Sequence, residues 1–123
     1  MKSVYEPDNE DILEWVNSGQ ASWPASDWDY YVANGKNDEL IFKLANDHLC
    51  EKRDFFIHAL YYLVGNYYNN GSVNKNEGIR IMKLLNQKDE GCSLEVILWK
   101  KDVDDLLSGK LTFDKEYWLH HMF

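Results

Sequence analysis

Apart from the carboxylates, few side chains here can do acid–base, nucleophilic or metal chemistry. There are four histidines, His48, His58, His120 and His121, and two cysteines, Cys50 and Cys92. A chelating pair on one helix face needs ligands about four residues apart. His48 and Cys50 are two apart, His120 and His121 are adjacent, and no C-x-x-C or H-E-x-x-H run occurs. The expectation is that no metal and no cofactor is bound. Two cysteines permit one disulfide but not the framework of a small secreted protein, so two reduced, buried or half-buried thiols are expected. His58 follows Asp54 by four residues, a spacing that pairs them on one helix without any catalysis.

Nucleophile and phosphate motifs are equally scarce. No G-x-S-x-G, no glycine-rich phosphate loop and no cysteine–histidine signature occurs, and Gly109-Lys110 lacks a P-loop frame. Carboxylates are so plentiful that a pair for general acid–base work can be drawn almost anywhere, which removes its value as a signal. Adjacent acids such as Asp104 and Asp105 point in different directions on a helix and do not make a two-metal clamp. No residue is therefore expected to be catalytic. A small acid–base enzyme is kept as a rival, because a lone catalytic acid leaves no motif.

The elements that must carry these residues read as helices nearly throughout. Asp8 caps a first helix, with Ile12, Leu13 and Val16 as its apolar stripe and Asn17-Ser18-Gly19 as its end. A second is expected after Ser22-Trp23-Pro24, running through Trp28 and Tyr31 to Asn34-Gly35. Asn37-Asp38-Glu39 opens a third, with Leu40, Ile41, Leu44 and Ala45 inward. Glu51 to Tyr68 is the most apolar stretch and reads as the central helix; Gly65 within it either permits close packing or marks its end. Asn69-Asn70-Gly71-Ser72 is a turn. Asn74 and Glu77 have capping-box spacing ahead of a helix that turns Ile79, Met82 and Leu85 inward. Ser93 caps a long helix with Val96, Trp99, Val103, Leu106 and Leu107 inward, ending at Ser108-Gly109. Leu94 to Trp99 alone also fits a buried strand, but the stripe continues past it, which favours helix. Thr112 caps a last helix with Phe113, Tyr117, Trp118 and Met122.

At 123 residues and 14.5 kDa this is one all-α domain spanning 1–123, a compact bundle of six to seven short-to-medium helices. Its formal charge is −8. That balance argues against direct binding of nucleic acid, which needs a basic face, and against docking on an anionic membrane. No apolar run approaches the ~20 residues of a membrane span. Met1 to Asp8 has no apolar signal core, so the expected location is the cytoplasm.

The charge is unevenly spread. Between Ser3 and Gly35 there is no Lys or Arg, but there are seven acids, Glu6, Asp8, Glu10, Asp11, Glu14, Asp27 and Asp29. Met1 to Asp54 holds 12 acids against 5 bases, and the remainder 9 against 8. Crowded acids repel one another unless something positive relieves them. Tyr5, Trp15, Trp23, Trp28, Tyr30 and Tyr31 lie in the same stretch, more aromatics than short helices can bury. Aromatics beside acids suit an interface with a basic partner, the rings supplying buried area and the acids steering and charge-assisted contacts. Part of the pattern is also what helix N-termini favour, which accounts for Glu10, Asp11, Asp38 and Glu39.

In size, acidity and segments such as Asp27-Trp28-Asp29-Tyr30-Tyr31, Asn34-Gly35-Lys36-Asn37-Asp38-Glu39-Leu40 and Phe55-Phe56-Ile57-His58-Ala59-Leu60-Tyr61, the chain resembles the immunity proteins of bacterial polymorphic toxin systems, those of contact-dependent growth inhibition above all. The resemblance lies in overall character and not in one diagnostic motif. It implies a protein that performs no chemistry and binds one cognate toxin as a monomer in a 1:1 complex. Such a toxin is often a basic nuclease, here a ribonuclease before a DNase. Asp27, Asp29, Asp38 and Glu39 would pair with its Lys and Arg, and Trp23, Trp28, Tyr30 and Tyr31 would be its buried anchors. Reversing Asp27 and Asp29 together to Lys is expected to weaken binding with the fold intact. A helical adaptor for another basic partner would use the same chemistry, and a homodimer would use the aromatic patch on itself.

Overall fold

The computed structural model describes residues 4–69 and 75–121, and every regular element among them is an α-helix. The seven are α1 (Asn9–Asn17), α2 (Trp28–Val32), α3 (Asp38–Ala45), α4 (Arg53–Asn69), α5 (Lys75–Leu85), α6 (Leu94–Leu107) and α7 (Lys115–Leu119). The all-α bundle is thus as the sequence reads, and Leu94 to Trp99 is helical. None of the described helices is long and apolar enough to cross a membrane. The turn after Asn69, the capping box beginning at Asn74, and Met122 lie outside the described residues.

Side-chain caps fix where several helices begin. Asp8 and Asp11 form a reciprocal capping box: Asp11 N donates to Asp8 Oδ1 (2.9 Å) and Asp8 N to Asp11 Oδ2 (3.1 Å). Ser93 accepts from Val96 N (3.3 Å) and also donates to the Ala45 carbonyl (3.2 Å), which ties the start of α6 to the end of α3. Two starts differ from the sequence reading. α7 is capped by Asp114, which accepts from Glu116 N (3.0 Å), and not by Thr112. α2 begins at Trp28 and not after Pro24. The Trp15 indole donates to the Ser22 carbonyl (3.1 Å) and Trp23 packs edge-on against Phe55, which holds the stretch before α2 in turns.

α4 is the axis. It is buried on nearly all sides, as a helix apolar all round must be, and α2, α3, α5, α6 and α7 all pack on it. Gly65 serves close packing. A Cβ there would stand 2.9 Å from both Trp118 Cβ and Leu119 Cδ2, so α7 lies directly on the bare backbone.

Two apolar faces are rotated from their predicted directions, and a third departs from its reading at one residue. α1 buries Asp11, Ile12 and Trp15, leaving Leu13 exposed and Val16 half-buried. The Trp15 ring sets this rotation, meeting Trp28 and Phe55 edge-on at 4.8 and 5.0 Å. α5 buries Ile81 and Leu84 where Ile79 and Met82 were expected, and Leu85 is only half-buried. In this rotation Arg80 reaches Asp38 on α3 through two bonds (2.7 and 2.9 Å) and the Ala33 carbonyl through a third (3.2 Å). On α6, Val96, Trp99, Val103 and Leu106 are buried as read, but Leu107 is half out in water. Ile79, Met82 and Leu107 instead border one open groove between α4, α5 and α6.

Asn37 stands at the start of α3 without capping it. Its buried amide donates to the Pro7 carbonyl (2.9 Å) and so pins the N-terminal segment to the α2–α3 junction. Cys50 and Cys92 are both free and half-buried, and burial pushes the Cys50 thiol up.

Candidate functional site

α2 lies across α4 and brings Asp27, Asp29 and Tyr30 over the outer side of that helix. There His58 is almost fully buried. Its Nε2 meets Asp29 Oδ2 at 3.0 Å, and its Nδ1 donates to the His121 carbonyl at 2.8 Å. A carbonyl and a carboxylate are both acceptors, so the ring is held between two acceptors on separate elements. The partner of His58 is therefore Asp29, across the fold, and not Asp54 one turn earlier. One imidazole joins α2, α4 and the segment after α7. Trp23 and Tyr62 flank it, with ring centroids at 5.8 and 6.1 Å.

From His58 the face continues through contacts in series. The His121 ring stacks on Tyr61 (3.7 Å, 2° between planes), and burial holds its imidazole below the usual range. Tyr61 Oη donates to Asp102 Oδ2 on α6 (2.8 Å), and Tyr117 Oη on α7 donates to the same oxygen (2.6 Å). At the other end Tyr62 sits beside Asp27, Asp29 and Tyr30. Asp27, Tyr30, Tyr62, Tyr117, His121 and Asp102 thus edge one acidic and aromatic face, with Lys101 beside Asp102 and bonded to Asp105 (3.0 Å). Asp27 meets no basic side chain among the described residues.

Of the eight residues proposed from sequence, Asp27, Asp29 and Tyr30 come together here, with Trp23 beside them against His58. Trp28 lies beneath the face, fully buried in the core, and is no surface anchor. Tyr31 is half-buried and edge-on to Tyr5 (5.1 Å). Asp38 is already held by Arg80. Glu39 is exposed on α3 in a different groove, with Phe42 and Gln87. The structure adds His58, Tyr62, Asp102, Tyr117 and His121. Asp29 is also a structural partner of His58, so reversing it with Asp27 would disturb the fold, contrary to the expectation above. Among the described residues no three His, Cys, Asp or Glu side chains are grouped to hold a metal ion.

The phenols of this face have a consequence at high pH. Burial, reinforced by Asp29, Tyr30 and Asp27, pushes Tyr62 up to about 12. Burial and the bond to Asp102 push Tyr61 and Tyr117 upward, and burial does the same for Tyr68. A phenol raised in the folded state lends stability that is complete below its unfolded value, ~10, and is lost as pH rises through the folded value. The thermal midpoint should therefore fall steeply from about pH 10 towards 12, with phenolate absorbance rising together with loss of helical circular dichroism. A full phenolate titration with the helices intact would contradict this packing.

No family model matches the chain, and no curated protein or solved structure matches it.

Proposed function

We propose that this chain is a non-catalytic immunity protein that neutralises a basic protein toxin in the cytoplasm, a ribonuclease before a DNase, by binding it 1:1. The observation that carries the reading is the face just described. It presents carboxylates and phenols to solvent across α2, α4, α6 and α7, and the cation nearest its α6 edge, Lys101, is engaged by Asp105 (3.0 Å). The arrangement suits Lys and Arg that would otherwise hold phosphates, with acids steering the encounter and tyrosines burying area. The resemblance in overall character to immunity proteins points the same way. Asp27 and Tyr30 are the exposed contacts, Tyr62 and Tyr117 lie between them and Asp102, and His58 with Asp29 positions α2.

The test uses tagged wild-type chain and the double variant Asp27→Lys/Tyr30→Ala, each used for affinity capture from source cells at low and moderate salt. The wild type should retain one basic protein at 1:1, increasingly released by salt. That protein should cleave RNA or DNA when freed and be silent when bound. The variant should keep its thermal midpoint and bind at least about tenfold more weakly, a loss of ~1.4 kcal/mol or more. Equal capture by the variant removes this face from the reading, and a captured partner without toxic activity removes the immunity role.

A further inference from the structure

The groove between α4, α5 and α6 lies outside the acidic face. Its volume is about 620 Å³, within the ~300–1,000 Å³ of small-molecule sites. Val64, Ile81 and Val103 are its buried floor. Ile79, Met82 and Leu107 form its walls and remain 55%, 46% and 50% exposed, large apolar side chains turned to a concave surface and not to a neighbouring helix. Gly78 leaves the α5 wall bare, since a Cβ there meets only the Tyr67 ring and hydroxyl, the closest at 3.4 Å.

The shape and the charge narrow the occupant. Gly78, Met82 and Asn86 line the groove at four-residue spacing, so it follows α5 for roughly 12 Å. Among the described residues Lys83 is the one charged residue lining it, and there it makes no ion pair. In a chain of net charge −8, an apolar channel whose described lining carries a cation and no acid stands apart from the neighbouring groove, where Lys83 is joined by Glu39 and Glu90. A last-turn lysine also complements the dipole of α5, which accounts for Lys83 alone but not for the open channel beside it. We propose that this groove binds a single-chain monocarboxylate, its apolar tail between α4, α5 and α6 and its carboxylate at the Lys83 ammonium. Met82, unbranched and polarisable, suits a wall that must fit tails of different lengths.

Calorimetric titration with sodium decanoate, sodium octanoate and 1-decanol tests this on the full chain. Decanoate should bind at one saturable site, and octanoate about tenfold more weakly, because two fewer methylenes are buried. Lys83→Glu should weaken decanoate at least about tenfold and leave 1-decanol unchanged, separating head-group recognition from apolar burial. Gly78→Leu fills the channel and should abolish binding of both, with the thermal midpoint kept or raised because leucine is the better helix former. Ile79→Glu, at an exposed position, sets a carboxylate in the wall and gives a second block that the fold tolerates. The proposal is overturned by absence of saturable decanoate binding, by binding that survives both blocking variants, or by equal losses of decanoate and decanol in Lys83→Glu. It is also overturned if the wild type is a dimer by light scattering and Gly78→Leu a monomer, since a second copy then fills the groove.

Discussion

Trp28→Ala should cost about 3–5 kcal/mol of folding free energy, measured by urea unfolding, which is a large part of a small domain's stability. Trp28 is fully buried, 4.8 Å from the Trp15 ring centroid and 5.5 Å from that of Phe55. α2 has five residues and buries only Trp28 and Val32, so the indole is the main attachment of that helix to the core. Losing it frees the segment that carries Asp27, Asp29 and Tyr30, and partner binding falls with the fold. Tyr30→Ala is the contrast: exposed on the same helix, it should change stability by no more than about 0.5 kcal/mol. Trp28→Phe should cost less than half as much as alanine, because Trp28 Nε1 is buried without a hydrogen-bond partner and its removal offsets part of the lost volume. A stable Trp28→Ala protein that no longer binds its partner would put Trp28 at the interface after all.

What was legible in the sequence, and what was not, follows from the range of the interactions. Helix existence and several ends depend on neighbours in the chain. Asp8 and Ser93 as caps were readable for that reason, as were the left-handed glycines after α1 and α6, Gly19 and Gly109 (φ 72° and 83°). The rotation of a helix about its axis depends on what it meets. Ile79, Met82 and Leu85 make as good a stripe on paper as Ile81 and Leu84. The choice between them goes with Arg80 finding Asp38, 42 positions away. The candidate site shows the same division. The acids and tyrosines of α2 stand out as a run, whereas His58 was assigned to Asp54 because that pairing is local. Its partners Asp29 and His121 are 29 and 63 positions distant, and Asp102 meets Tyr61 over 41. No periodicity encodes such pairs. Trp28 failed in the opposite sense: an aromatic between two acids looks like surface, yet two flanking acids do not fix the direction of the ring between them.

Gly65→Ala should destabilise the protein by about 2 kcal/mol, although alanine is favoured over glycine by roughly 1 kcal/mol in an unencumbered helix. The reversal is steric. The new methyl would sit 2.9 Å from Trp118 Cβ and Leu119 Cδ2 and 3.1 Å from the Trp118 carbonyl carbon. The last of these is backbone, so α7 must move away from α4 as a unit. Gly78→Ala on α5 is the control, because its Cβ makes only ordinary contact with Tyr67 at 3.4 Å, and it should stabilise by about 0.5–1 kcal/mol. Gly65→Leu should lift α7 off altogether, exposing the buried Trp118 indole and shifting tryptophan emission to the red. The displacement also takes Tyr117 from Asp102 and His121 from Tyr61, and it withdraws the His121 carbonyl that accepts from His58. One added side chain on α4 would therefore loosen both ends of the acidic face: the α7 side directly, and α2 through His58 and Asp29. Decanoate binding separates this from general unfolding, since the groove uses α4, α5 and α6 and should survive in Gly65→Ala while partner affinity falls. Equal loss of both would mean that Gly65 supports the whole core and not the docking of α7 in particular.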